Sequence, residues 1–114
     1  MITAPVVGNY YATHQAQQLH KNIVRHPAVK QRLTLVFEPG NKFDVNAVAV
    51  YSDKTMLGHV DRSSAARIAD LVHQTLDDEG VSRLEKVNYN LLAETKVVGD
   101  RVYATIIGCN RIIK

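Results

Sequence analysis

The sequence has little cysteine and lacks long apolar runs. Cys109 is the only cysteine, which excludes an intramolecular disulfide and a zinc site built on several cysteines. No segment approaches the roughly 20 apolar residues that a membrane-spanning helix needs. The N-terminal MITAPVVGNYY has no basic region followed by a long apolar run. We therefore expect a cytoplasmic protein without membrane contact, and we expect Cys109 to be a small core residue.

Motifs for catalysis and for metal or nucleotide binding are also lacking. The sequence contains no HExxH, P-loop, Gly-x-Ser-x-Gly or glycine-rich dinucleotide fingerprint. His14, His20 and His26 are spaced so that successive side chains on a helix would turn by about 240° and face different ways. A hydrolase that uses Asp44 and His59 has no visible nucleophile or metal partner. We therefore predict that the protein is not an enzyme and binds no metal or cofactor.

What is present fits one small domain. The 114 residues are 46% hydrophobic and 22% charged, which is ordinary for a globular protein and predicts a single domain over residues 1–114. The net charge is +3, which permits phosphate binding without requiring it. Because lysine and arginine are spread along the chain, any positive surface must be assembled by folding.

Apolar and alternating segments predict six strands and three tight turns. The strands are expected over residues 5–12, 31–38, 47–52, 55–60, 85–98 and 101–109. Residues 47–52 are nearly all apolar, which indicates a strand covered on both faces. Pro39-Gly40 suits a type II turn, Asp53-Lys54 a tight turn, and Gly99-Asp100 a two-residue hairpin turn.

Two segments have helical features. Residues 13–26 predict either a short helix capped by Thr13 or an ordered loop that ends before Pro27. A longer helix is expected to be capped by Ser63 or Ser64 and to end near Leu76. Its predicted apolar stripe is Ile68, Leu71, Val72, Thr75 and Leu76. The order of elements predicts a mainly β fold with helix, a small OB-like six-stranded β-barrel with one main helix and the option of a second short one.

The segment EPGNKFDVNAVAVY, which begins at Glu38, concentrates polar residues beside a buried strand. Asn41, Asp44 and Asn46 can bond to nearby amides and make the loop rigid. Alternatively, the loop presents its remaining polar groups to a ligand. Phe43 either tucks into the mouth of the barrel or offers a stacking face, and the pattern alone leaves both alternatives open.

Three segments, VVGNYYA, EPGNKFDVNAVAVY and MLGHVDRSSAARI, together resemble the signatures of HIRAN domains. The resemblance covers most of residues 5–76. Its most specific part is the middle segment, in which Pro39, Asn41, Phe43, Asp44, Asn46 and Ala47 all fit. It implies an OB-like β-barrel module of the kind found in helicase-like translocases that remodel stalled replication forks, and in stand-alone bacterial or phage proteins.

The resemblance also implies a function, the binding of single-stranded DNA at its 3′ end, with a role in DNA repair and a helicase or nuclease as protein partner. Asp44 would accept a hydrogen bond from the terminal 3′-hydroxyl. The remaining roles would be base stacking by Tyr10 and Tyr11, positioning of the loop by Asn41, shaping of the pocket by Phe43, and phosphate contact by His59 and Arg62.

Alternatives remain at several of these positions. One of two adjacent strand tyrosines must point inward. His59 can equally be a packed barrel histidine. The family often has an arginine where Asn9 stands, and the segment 13–32 is longer than usual; it offers Lys21, Arg25, Lys30 and Arg32 as replacement basic residues. The rival function is a protein-interaction or scaffold module that keeps the fold without binding DNA.

Overall fold

The computed structural model describes residues 2–7, 13–78 and 89–111 and contains six strands and two helices in that part of the chain. In chain order they are β1 (Thr3–Val7), α1 (His14–Arg25), β2 (Arg32–Phe37), β3 (Val48–Ser52), β4 (Thr55–Val60), α2 (Arg62–Asp78), β5 (Tyr89–Val98) and β6 (Arg101–Arg111). The predicted mainly β fold with helices is confirmed, and residues 13–26 form a helix rather than a loop.

The six strands close into a barrel in the order β1-β4-β3-β2-β5-β6, and every pair of neighbours is antiparallel. Two tight hairpins were predicted from their turn residues and are confirmed. Asp53 joins β3 to β4 with a φ of 51°, and Gly99 joins β5 to β6 with a φ of 64°. Both angles lie in the left-handed region, which glycine and aspartate tolerate better than most residues.

The core lies inside the barrel and extends to both helices. Along β2 the buried residues alternate, with Leu33, Leu35 and Phe37 inside. The first three residues of β3 are all fully buried, which confirms the prediction of a strand covered on both faces. Ile23 of α1, together with Ala65 and Ile68 of α2, belongs to the same core cluster. Burial of such side chains is the main stabilising contribution in a domain of this size.

Two predictions about α2 are wrong. The helix begins at Arg62, so Ser63 and Ser64 lie in its first turn and Asp61 precedes it. The Ala65 amide donates to the Asp61 carbonyl at 2.9 Å, and the Ser63 hydroxyl donates to the Asp61 carboxylate at 2.9 Å. An acidic residue at this position also complements the helix dipole. Leu71, expected in the buried stripe, is 41% exposed, because Ala65, Ile68 and Ala69 form the buried face.

Two other predictions are corrected. The Asn41 backbone amide donates to the Glu38 carbonyl at 3.0 Å, which closes the predicted turn at Pro39-Gly40. Gly40 has a negative φ, however, so the turn is not of type II. Cys109 is exposed and not a core residue, although the strand register pairs it with the buried Leu91. The predicted strand over residues 5–12 is described only as far as Val7.

The cap of α1 was predicted at Thr13, and the structure confirms it. The Thr13 hydroxyl accepts a hydrogen bond from the Ala16 amide at 3.0 Å. We expect Thr13→Ala to lower the free energy of unfolding by about 1 kcal/mol, because this amide would lose its partner. Urea denaturation measures the change. Thr13→Ser is the matched control and should retain the stability of the unchanged protein; equal stability of the Ala variant would contradict a stabilising cap.

Within the described ranges, neither helix combines the length and apolar character that crossing a membrane requires.

Candidate nucleic-acid interface

The loop of residues 38–47 connects β2 to β3 and is closed at its base by backbone hydrogen bonds. The Glu38 amide donates to the Ala47 carbonyl at 2.9 Å, which continues the ladder between the two strands by one step. The Ala47 amide donates to the Asp44 carbonyl at 3.1 Å. The two ends of the loop are therefore fixed by the barrel. The conformation of the residues between them depends on the side chains of the loop itself.

Those side chains form consecutive turns. Asn41 Oδ1 accepts hydrogen bonds from the amides of Phe43, at 2.9 Å, and Asp44, at 3.1 Å. Asp44 Oδ1 in turn accepts from the Asn46 amide at 2.9 Å. Asparagine and aspartate often make such bonds to amides two or three residues ahead. The predicted rigid loop is thus present, and only one of the two Asp44 carboxylate oxygens is used for it.

Phe43 projects from the tip of this loop into solvent. Its exposed fraction is 87%, and Val45 beside it is 66% exposed. Of the two alternatives drawn from the sequence, the structure excludes the one in which Phe43 tucks into the barrel. An aromatic ring this exposed contributes little to the core, and its face is available to stack on a planar ligand.

Arg62, at the start of α2, reaches across to the loop. Its Nη2 donates to the Phe43 carbonyl at 2.9 Å, and its Nε lies 3.9 Å from Asp44 Oδ2. The Arg62 side chain is 80% exposed, whereas that of Asp44 is 20% exposed. An ion pair this open to water adds little stability. Its consequence is positional, because it places a solvated guanidinium beside a carboxylate oxygen and an exposed ring.

We call the resulting depression the loop groove. Its volume is about 430 Å³ and it is lined by Lys42, Phe43, Asp44, Val45, Asn46, Arg62 and Ala66. Three residues of the predicted site therefore come together here: Phe43, Asp44 and Arg62. Lys42 was missed, although it stands between two predicted site residues in the sequence. The groove carries two cationic groups against one carboxylate, and Arg62 and Ala66 in its wall belong to the N-terminal part of α2, where the helix dipole is positive.

Asn41 and His59 contribute differently from the three groove residues. Asn41 does not line the groove; its side chain fixes the conformation of the loop through the two hydrogen bonds given above. His59 on β4 donates from Nε2 to Glu38 Oε1 at 2.6 Å, and both side chains are partly buried, at 25% and 30% exposed. The same Glu38 oxygen lies 3.4 Å from Asn41 Nδ2. Glu38 was missed as a site residue, and the available signal was that it follows Val36 on the outer face of β2.

Tyr10 and Tyr11, the predicted stacking pair, lie outside the described residues. Elsewhere in the chain, burial lowers the pKa of His20 on α1, an effect that the charge of Asp100 partly offsets. Over the ranges that the structure covers, histidine, cysteine and carboxylate side chains do not gather into a group able to hold a metal ion.

Comparison with known proteins adds family evidence to this geometry. The family model described as "HIRAN domain" matches residues 1–106. No curated protein matches the sequence. A crystal structure of a protein from Lactobacillus plantarum is similar, with a TM-score of 0.60 and 19% sequence identity, over 97% of this chain and 94% of that one. At this identity the similarity supports the barrel fold alone.

Proposed function

The chain belongs to the HIRAN domain family, and from this premise we propose that it is a non-enzymatic module that binds single-stranded DNA at the free 3′ end. DNA binding is typical of the family. The preference for a 3′ end is supported by the loop groove. It brings together a carboxylate oxygen, an exposed aromatic ring and cationic groups, which suit a terminal hydroxyl, a base and phosphates.

The position of Asp44 carries the proposal. Its Oδ1 is held by the Asn46 amide, while its Oδ2 lies in the groove beside Arg62. A carboxylate only accepts hydrogen bonds, so it can take the proton of a terminal hydroxyl. An internal phosphodiester offers no donor there and adds negative charge. The same oxygen therefore favours a terminus and disfavours a continuous strand, which is a way to obtain specificity by repulsion.

The exposed ring of Phe43 supplies the contact to a base. Stacking of a base on an aromatic side chain contributes about 1–3 kcal/mol and does not depend on the base's identity. Tyr10 and Tyr11 remain proposed stacking residues from the family resemblance. A site that depends on stacking and on a terminal hydroxyl would bind strands of many sequences. This suits a module that recognises strand ends rather than base sequences.

Phosphate contacts fall to the cationic groups of the groove. Arg62 uses one nitrogen on the Phe43 carbonyl, and the guanidinium has further N–H groups for a phosphate. Lys42 adds a second charge on the groove wall. His59 remains a proposed phosphate contact; because its Nε2 donates to Glu38, a bond from Nδ1 to a phosphate requires the imidazole to carry a proton on both nitrogens. Asn41 remains a proposed positioning residue, because its hydrogen bonds fix the conformation of the loop.

The test is fluorescence anisotropy with four labelled probes at two ionic strengths: single-stranded, duplex, 3′-blocked and 5′-blocked DNA. We expect the single strand with a free 3′-hydroxyl to bind most tightly, and the 5′ block to have no effect. Log K should fall with log salt by about 0.7 for each neutralised phosphate, hence by about 1.4 if Arg62 and Lys42 both act. The 3′-blocked probe carries a 3′-phosphate. Equal affinity for this probe and for the strand with a free 3′-hydroxyl would contradict end recognition.

One observation favours a second function, a protein-interaction module that recruits a helicase or nuclease. An apolar groove of about 250 Å³ lies between α2 and β6, and Ile68, Leu71 and Ile106 are among its lining residues. Apolar surface of this kind is a common feature of protein interfaces. Failure of all four probes to bind, with the protein folded, would favour this function over DNA binding.

A further inference from the structure

We propose that Glu38 is a positioning residue of the loop groove, because one of its carboxylate oxygens bonds both to the barrel and to the loop. Glu38 Oε1 accepts from His59 Nε2 at 2.6 Å and lies 3.4 Å from Asn41 Nδ2. Glu38 is not among the residues that line the groove. Its effect on a ligand in the groove therefore passes through the side chains that it holds, Asn41 in particular, and this role rests on the proposed function where DNA is concerned.

The strand register brings Glu38 and His59 together. His59 is the partner of Ala49 on β3, and Ala49 is the partner of Val36 on β2. Glu38 stands two residues after Val36 and so shares its face of the barrel. The cross-strand neighbours of Glu38 and His59 are Ala47 and Ala49, and their short side chains leave room for the carboxylate and the imidazole to meet. His59 thus anchors Glu38 to a strand that is not its sequence neighbour.

The link from Glu38 to the groove passes through the amide group of Asn41. A carboxylate accepts hydrogen bonds and cannot donate them, so it selects the NH₂ end of that amide. The Oδ1 end is then turned toward the loop, where it accepts from the amides of Phe43 and Asp44. Without Glu38, the side-chain amide of Asn41 can rotate so that its NH₂ group, instead of Oδ1, faces the backbone N–H groups of Phe43 and Asp44. Those two hydrogen bonds would then be lost. The orientation of the stacking ring and of the hydroxyl acceptor therefore depends on Glu38.

Amide hydrogen exchange followed by NMR tests this link without DNA. In Glu38→Ala, exchange at the Phe43 and Asp44 amides should accelerate about five- to tenfold, because Asn41 Oδ1 no longer holds them. The Gln31 amide, which donates to Thr95 Oγ1 at 2.9 Å on β5, is the internal reference and should not change. Glu38→Gln, which keeps an acceptor oxygen, should retain near-normal exchange.

Two further variants complete the design. His59→Ala removes the anchor on the other side of Glu38 and should accelerate exchange at the same two amides, so the link can be judged even if Glu38→Ala fails to fold. Glu94→Ala on β5 is the matched control for loss of a glutamate and should leave both amides unchanged. Unaltered exchange in Glu38→Ala and His59→Ala, or exchange in Glu38→Gln as fast as in Glu38→Ala, would overturn the proposal.

The DNA measurement separates this inference from the proposed function. Glu38→Ala should weaken binding of the free 3′-hydroxyl strand about five- to tenfold and that of the 3′-phosphate strand by a smaller factor, because the ring serves both strands and the hydroxyl acceptor only one; Glu38→Gln should restore both. If the unchanged protein binds neither strand, the proposed function fails while the exchange experiment still decides the role of Glu38. Normal DNA binding by Glu38→Ala, together with unaltered exchange, would overturn the role of Glu38 alone.

Discussion

Asp44→Asn is expected to abolish the preference for a free 3′-hydroxyl over a 3′-phosphate. The unchanged protein should favour the hydroxyl end by about tenfold or more, because a hydrogen bond to a charged group contributes about 1.5–3 kcal/mol. In the variant the two affinities should agree within about threefold. The affinity for the hydroxyl end should fall, because that end loses a charged acceptor. The affinity for the phosphate end should rise, because that end no longer meets a repelling carboxylate.

Asparagine is the informative substitution because it preserves the loop. Its side-chain oxygen can still accept from the Asn46 amide, as Asp44 Oδ1 does at 2.9 Å. The ion pair with Arg62 is lost, but at 3.9 Å and with Arg62 80% exposed it contributes about 0–1 kcal/mol to stability. Thermal unfolding should therefore be nearly unchanged, and an altered end preference is attributable to the missing charge.

Asp53→Asn is the matched control for this measurement. It makes the same chemical change at an exposed aspartate in the turn after β3, whereas the loop precedes that strand. Asparagine also tolerates the positive φ of 51° at this position. The control should keep the full preference for the hydroxyl end. If Asp44→Asn keeps it as well, Asp44 does not contact the terminus.

Much of the fold could be predicted because its signals are local. Alternation along β2, the apolar run of β3 and the turn residues Asp53 and Gly99 each act within a few residues. The start of α2 was misplaced because Asp61, Ser63 and Ser64 are all good cap residues, and the choice between them depends on the chain that enters the helix.

The candidate site was predictable where the sequence holds its residues together and not where folding assembles them. Phe43 and Asp44 lie in one polar segment, so the motif was sufficient to find them. The pairing of Glu38 with His59 depends on the register of β2, β3 and β4, which has no signal in either local sequence. Lys42 was overlooked because a lone exposed lysine is usually only solvated, and its relevance comes from the position of Arg62.

Phe43→Ala is expected to weaken binding of single-stranded DNA about 5- to 140-fold, the range that corresponds to the loss of one stacked base. The folded state should be almost unaffected. Phe43 is 87% exposed, and its backbone bonds to Asn41 and Arg62 do not involve the ring. Surface substitutions of this kind usually change the free energy of unfolding by no more than about 0.5 kcal/mol.

Phe43→Leu separates stacking from simple apolar contact. Leucine keeps most of the apolar surface but has no flat π-face, so its affinity should lie close to that of the Ala variant if stacking provides the energy. Val98→Ala is the control for loss of an exposed apolar side chain, at 55% exposed. Val98 precedes the β5–β6 turn, and because β5 is antiparallel to β2 it lies beyond the start of β2, at the end opposite the loop.

The pattern across these three variants decides what the exposed ring does. A large loss in both Phe43 variants and none in Val98→Ala would identify Phe43 as a stacking residue in the described part of the site. Normal affinity in Phe43→Leu would mean that the ring contributes apolar contact to the DNA rather than stacking on a base. Because end preference depends on Asp44 and not on the ring, Phe43→Ala should weaken the hydroxyl and phosphate ends by the same factor.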